Sequence, residues 1–433
     1  MPRPVRLAIT AAVIGLSALA SSASPDFNRH QVADSLGIRL QQATGAADSI
    51  RLLSNLYDVY PLPAQKDSVA GELLRLAIRT GDSASGLDII RNCANQHLKN
   101  DSLLLTDLAH ANMFPDSEDR AETITFVEMM RNLHRVRYAA PDEVDSEIHK
   151  LLRKINSTAD QEPIHEQIVD LHALCLFVGE CAQGEMLSKY LGRLREKIDQ
   201  LRPEAYAIRN AYYVQAALAY TANDEHSKAV EADRSLLASI DRLEKGEEGM
   251  KRPFRDYDGN RYIIYSRLLA NYPYLKPEET EAYYAEAMKL VDTDAKSQAT
   301  NSLSGRPQIY HALFRKDYPE ALALLKKYAD MPYNHPVRKQ MLRAMIQCAE
   351  AVGDSATLLH ASRQYNTILE ENFEKKAQEK YKELQIAYEV HQLKASHAME
   401  SFRLHRMMLR WAVVIAVVLL IAMVGIVMMW FPS

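Results

Sequence analysis

Residues 76–92 read LAIRTGDSASGLDIIRN, from Leu76 to Asn92. Apolar side chains recur at three- and four-residue spacing on both sides of a polar centre, which predicts two amphipathic helices joined by a short turn. Gly81 is placed to end the first helix in the left-handed conformation, which a residue without a Cβ adopts freely. Asp82 is placed to cap the second helix by accepting a hydrogen bond from one of its free amides. The same Gly-Asp-Ser-Ala core returns in CAEAVGDSATLLHASRQ, from Cys348 to Gln364, with Gly353 and Asp354 in the same two roles. Helical pairs therefore stand near both ends of the region from Ser24 to Tyr365, and the fold class expected is all-α.

The intervening sequence agrees. Leu73, Leu76 and Ala77, and again Ala321, Leu324, Leu325 and Tyr328, repeat the helical spacing, and no run of strict alternation stands between turn signals. Pro141-Asp142-Glu143, Pro203-Glu204, Pro277-Glu278-Glu279 and Pro319-Glu320 each put proline in a predicted first turn with acids behind it. Proline loses nothing there, because the first amides of a helix lack intrahelical partners, and the acids complement the dipole. Fifteen glycines in 433 residues are few for a β-rich or dinucleotide-binding chain. The formal charge of −4 gives no global footprint for nucleic acid. The four cysteines, Cys93, Cys175, Cys181 and Cys348, are too scattered to staple a fold and read as small core residues.

Both ends concern a membrane. Trp411 to Trp430, WAVVIAVVLLIAMVGIVMMW, is uncharged over 20 residues and carries the chain's two tryptophans at its ends. A helix of that length spans roughly 30 Å, the thickness of a bilayer's hydrocarbon core. Arg410, Trp411 and Trp430 are the expected interface residues. At the other end Arg3 and Arg6 precede an apolar stretch from Leu7 to Ala20 and the small residues Ser21, Ser22 and Ala23, the three-part layout of a secretory signal peptide. Arg403, Arg406 and Arg410 before the span favour the opposite orientation by the positive-inside rule. The tail of Phe431, Pro432 and Ser433 gives that rule almost nothing to count, so export is the expectation. The division expected is a signal peptide over 1–23, a helical-repeat domain over 24–365, a stalk helix over 366–409, a membrane helix over 410–430 and a tail over 431–433. It predicts a single-pass inner-membrane protein with its bulk in the periplasm.

The stalk contains no glycine or proline, and a heptad runs through Ala377, Tyr381, Leu384, Tyr388, His391, Ala395, Ala398 and Phe402. Such a seam predicts a coiled coil with a second copy, a weak one because several seam residues are small or polar.

Between Lys251 and Tyr274 arginines interleave with tyrosines, and 15 of the 22 tyrosines fall between Tyr206 and Tyr333. Arginine and tyrosine recur at binding hot spots, so Arg252, Arg255, Tyr257, Arg261, Tyr262 and Tyr265 are the candidate binding residues for a protein or peptide partner. The competing reading is that these rings pack between helices. Asp256-Tyr257-Asp258-Gly259 has the opening of a calcium loop without its third acid or terminal glutamate. No catalytic constellation appears: Val169 stands where a zinc-protease helix beginning at His165-Glu166 needs its second histidine, and no phosphate loop or nucleophile elbow occurs. His172 and Cys175 lie one turn apart but lack further ligands. No enzyme activity, cofactor or metal is expected.

AYTANDEHSKAVEADRSLL (Ala219 to Leu237) and HALFRKDYPEALALLKKY (His311 to Tyr328) resemble the tetratricopeptide repeat, with an aromatic or small residue before the turn and an Ala-Val or Ala-Leu pair after it. The resemblance implies an α-solenoid of stacked helical pairs. Leu52 to Asn92, with the stalk Glu379 to Lys394, makes the whole resemble the sensory half of membrane-anchored tetratricopeptide-repeat sensors of Bacteroides-group bacteria. Those carry a cytoplasmic kinase or DNA-binding effector after the span, and this chain has three residues there. The resemblance implies a sensor that binds a periplasmic protein or ligand and signals through a partner. The alternative is a structural adaptor that gathers envelope proteins without signalling.

Overall fold

The computed structural model describes residues 29–158, 162–181, 184–247, 252–291, 305–327 and 338–370, with residues 381, 384–386, 388, 392, 399, 403 and 405–412 of the stalk. Among the described residues the regular structure is helical throughout, and no strand occurs. The helices are α1 Arg29–Gln42, α2 Ala46–Val59, α3 Pro63–Thr80, α4 Ser83–Gln96, α5 Asp101–Ala111, α6 Glu118–Tyr138, α7 Pro141–Thr158, α8 Ile164–Cys181 and α9 Glu185–Ile198. They continue with α10 Tyr206–Ala222, α11 His226–Lys245, α12 Tyr257–Ala270, a 3-10 turn Tyr272–Tyr274, α13 Pro277–Val291, α14 Arg306–Phe314, α15 Tyr318–Lys326 and α16 Arg338–Val352. Residues 355–370 are also helical. Helices adjacent in sequence pack on one another, α6 with α7 excepted, and α4 with α6, α6 with α8 and α12 with α14 pack across the helix between them.

The turns inside the pairs share one backbone geometry. After α3, Gly81 has φ 73° and the Asp82 amide donates to the Ala77 carbonyl at 2.9 Å. After α16, Gly353 has φ 76° and the Asp354 amide donates to the Ala349 carbonyl at 2.9 Å. The expected caps form as well: Asp82 accepts from the Ser85 amide at 3.1 Å, and Asp354 from the Thr357 amide at 3.0 Å. The looser stretches keep this geometry without glycine. Asp224 (φ 60°) and Lys316 (φ 59°) take the left-handed position, and the amides after them donate to Tyr220 at 2.8 Å and Ala312 at 2.9 Å. The six-residue hydrogen bond closes the last helical carbonyls in all four cases, so the backbone repeats where the sequence has drifted.

One predicted helix start is corrected. Pro203-Glu204 does not open a helix; α10 begins at Tyr206. The Arg209 guanidinium donates to the Leu201 carbonyl at 2.5 Å and the Pro203 carbonyl at 2.8 Å, which holds residues 201–205 as a turn instead.

Two apolar cores follow one another along the chain. The first runs from Leu36 to Ala232 and takes in Ile386, and the second runs from Tyr206 to Ile368; α10 and α11 give one face to each. The three described free cysteines, Cys93, Cys175 and Cys348, lie buried in these cores.

Every described residue between 381 and 412 is helical. Ile386 is buried (5% exposed) and belongs to the first core, where Gln385 and Ile386 form a small cleft with Asp145, Ile148 and His149 of α7. Tyr381, Leu384 and Tyr388 are 70%, 60% and 64% exposed. At 100° per residue Ile386 lies about 165° around the helix from that stripe. Among the described residues the stalk thus meets the body through Ile386, and Tyr381, Leu384 and Tyr388 on the opposite side are exposed. Among the described residues no helix is long and apolar enough to cross a membrane. The signal peptide expected over 1–23 and the expected span beyond Ala412 lie outside the described residues.

Candidate functional site

The site grows from the segment between α11 and α12. Asp256 caps α12 by accepting from the Gly259 amide at 2.9 Å. A Cβ at Gly259 would stand 2.6 Å from Asp256 Oδ2, so the carboxylate lies close over the glycine. Phe254 packs against the first core and carries the segment back over α2 and α4, nearly two hundred residues earlier in the chain.

There Arg252, 2% exposed, is held on all sides. Its Nε and Nη2 donate to the two oxygens of Asp58 at 2.8 and 3.0 Å, and its Nη1 donates to Asp88 at 2.7 Å. Nη2 also lies 3.3 Å from the Ser54 carbonyl, and the guanidinium sits 5.6 Å from the Tyr57 ring centroid. The Tyr206 hydroxyl, at the start of α10, donates to the other Asp88 oxygen at 2.8 Å. Arg91 of α4 stands 3.9 Å from that same oxygen, binds Asp119 at 2.9 Å and faces the Tyr206 ring at 5.7 Å. Arg202 adds a two-pronged bond to buried Glu122 at 2.7 and 2.8 Å. Buried charges need partners with good geometry, and here α2, α4, α6, α10 and the segment before α12 supply them to one another.

Burial pushes the Asp88 carboxyl up, but the guanidinium of Arg252, then those of Arg91 and Arg255, and the Tyr206 hydroxyl outweigh it and hold the group below the usual carboxylate range. Burial likewise pushes the Tyr206 phenol up, and the Asp88 charge adds to that. Asp88 is therefore ionised and the Tyr206 phenol protonated at neutral pH.

Of the six candidate binding residues, Arg252, Arg255 and Tyr257 meet at this cluster. Arg255 is half-buried, its guanidinium 6.0 Å from the Tyr257 ring centroid and within electrostatic reach of Tyr206, Arg252 and Asp88. Its backbone amide donates to the Arg252 carbonyl at 3.2 Å, and among the described residues its guanidinium makes no hydrogen bond or ion pair. Tyr257 is 7% exposed. The other three lie further along α12. Arg261 binds Asp241 at 2.9 Å and Asp258 at 3.1 Å, and also pairs with Glu244. Tyr262 and Tyr265 are buried in the second core, Tyr265 against Tyr283 at 5.9 Å. Arg410 and Trp411 are exposed, and Trp430 lies outside the described residues.

Sequence reading missed Tyr57, Asp58, Asp88, Arg91 and Tyr206. A signal existed: Asp58 stands in Leu56-Tyr57-Asp58-Val59 and Asp88 in Leu87-Asp88-Ile89-Ile90, each an acid inside an apolar run. A carboxylate drawn into a core requires a cation, and arginine is the usual one. The comparisons with known proteins place nothing beside this chain: no family model, curated protein or solved structure matches it.

Proposed function

We propose that this chain is a membrane-anchored protein whose body is a tetratricopeptide-like solenoid exported to the periplasm, and that it serves as the input module of a signalling system. The body binds a protein or ligand, the stalk pairs with that of a second copy, and a partner carries the signal onward. The observation that supports the reading is the two-sided stalk. Ile386 ties it to α7 inside the first core, while Tyr381, Leu384 and Tyr388 face outward at coiled-coil spacing. A change in the packing of the body therefore has a direct mechanical route to the pairing face.

The test is crosslinking in membranes of Leu384→Cys, in a Cys181→Ser background, with Ile386 intact or replaced by alanine. Pairing predicts a dimer band, and coupling predicts that Ile386→Ala changes its yield. An absent band removes the dimer, and an unchanged yield removes the relay. Protease added to intact spheroplasts checks orientation: digestion of an epitope in the body supports export, and protection until lysis makes the chain a cytosolic scaffold.

A further inference from the structure

Export of the body leaves three arginines where the positive-inside rule least expects them. Arg403, Arg406 and Arg410 stand on the helical end of the stalk, all three exposed, and among the described residues their guanidiniums make no hydrogen bond or ion pair. At 100° per residue they fall within about 60° of one another around the helix. The pairing seam, continued from Ala398 and Phe402 to His405 and Leu409, lies about 100° away, so a second copy can occupy it and leave the arginines open. No acid follows Glu400, so nothing further along the chain neutralises them. Met407, Met408 and Leu409, among the arginines, are 54%, 60% and 70% exposed, and Trp411 opens the uncharged run at 63%. A helix end that bares apolar and basic groups together suits a lipid interface better than water.

We propose that Arg403, Arg406 and Arg410 form a collar that binds the headgroups of anionic phospholipids. The proposal rests on the reading above that the chain is membrane-anchored, and it assigns the class of lipid gathered around the anchor. At about 1.5 Å per residue, Arg410 stands at the edge of the hydrocarbon core, with Arg406 about 7 Å and Arg403 about 12 Å beyond Trp411. The headgroup layer is about 5–8 Å deep, and the long arginine stems let all three guanidiniums reach it. Each guanidinium offers the fork of N–H donors that matches phosphate oxygens. A zwitterionic lipid brings an ammonium beside its phosphate, which offsets the attraction, whereas an anionic lipid brings none.

The experiment reconstitutes the full chain with Trp430→Phe, so that Trp411 is the one indole, in vesicles of phosphatidylglycerol in an excess of phosphatidylcholine. Bromine is placed on the acyl chains of one lipid or the other, and quenching of Trp411 reports which lipid surrounds it. Phosphatidylglycerol is expected at Trp411 at least about threefold above its share of the bilayer, falling to that share in high salt. Arg403→Gln, Arg406→Gln and Arg410→Gln together should abolish the enrichment; these side chains are exposed, so the body's fold does not depend on them. Trp411→Phe with Trp430 retained should show no enrichment, because no basic residue follows the span. Quenching in proportion to the bulk mixture, enrichment that survives the three glutamines, or equal enrichment at Trp430 overturns the collar alone. Absence of quenching by either brominated lipid overturns the membrane reading and the collar with it, so the two failures are distinguishable.

Discussion

Arg252→Met keeps a long apolar stem in place and removes every donor of the guanidinium. The two bonds to Asp58 and the one to Asp88, at 2.7 to 3.0 Å, disappear together. Taken singly, bonds to charged groups contribute roughly 1.5–3 kcal/mol each, so a simple sum reaches about 5–9 kcal/mol. That sum is too high. Asp88 retains the Tyr206 hydroxyl at 2.8 Å and Arg91 at 3.9 Å, and its partner Asp58 has a side chain 8% exposed that can draw in water. Removing one partner of a buried pair costs about 3–5 kcal/mol, and that is the expected loss near neutral pH. For a unit this large it corresponds to roughly 6–10 °C in thermal midpoint.

The pH dependence makes the prediction sharper. The folded Asp88 carboxyl lies below its ordinary value of 3.8, so it contributes stability above that pH and loses it as the pH falls through the depressed folded value. In Arg252→Met the burial of Asp88 is no longer opposed by its strongest neighbour, and its carboxyl moves upward. The variant's deficit is then greatest near pH 7 and is smaller at pH 4.5, because the raised carboxyl takes up a proton as the pH falls and sheds its unpaired charge. Calorimetry of both proteins at the two pH values measures this, and Asp88→Asn added to Arg252→Met should recover part of the loss. A deficit under about 1 kcal/mol, or one that does not change with pH, refutes the reasoning.

Two more expectations concern the cores. At Gly86 a Cβ would stand 2.1 Å from Cζ of the buried Phe114 ring; Gly86→Ala gains about 1 kcal/mol of helix propensity but overpacks by about 1–3 kcal/mol or more. The clash wins: calorimetry should show net destabilisation, relieved when Phe114→Leu is added. His172 is 1% exposed with Nδ1 unpartnered, and burial pushes its imidazole down to about 3 from 6.5. Its neutral form is the folded one, so full stability holds above pH 6.5 and is lost as pH falls, by about 2 kcal/mol at pH 5. Denaturant titrations of His172→Leu should lack that slope, and a slope equal to wild type's would show that His172 is not the group titrating.

The helices and their turns were legible because their causes are local. Gly81 with Asp82, and Gly353 with Asp354, are read from four consecutive residues, and each closes its turn with bonds spanning six residues at most. Even there, Asp224 and Lys316 show that a left-handed residue need not be glycine once the surrounding helices fix the turn. Pro203 misled for the converse reason, since its helix start is pre-empted by a side chain, Arg209, that lies beyond the local motif. The candidate site was half legible. Composition singled out Arg252, Arg255 and Tyr257, but no spacing rule links Arg252 to Asp58 and Asp88, which lie 194 and 164 residues away. The tyrosines followed burial: Tyr262 and Tyr265 fill the second core, as aromatics between helices commonly do.

Those separations have a consequence for the order in which the chain matures. Most packing here joins helices that follow each other closely, so the body can assemble as it is made. Asp58 and Asp88 are different, because their counterion is synthesised 194 and 164 residues later. At about 5–20 residues per second that is a wait of roughly 10–40 s in which Asp58 lacks its cation and Asp88 has only Arg91, 3.9 Å away, and later the Tyr206 hydroxyl. Until residue 252 arrives, α2 and α4 lack the guanidinium that joins Asp58 to Asp88. The first core is therefore sealed late, by a residue from the second half of the chain, and a product stopped before that point would keep its helices but not their closure.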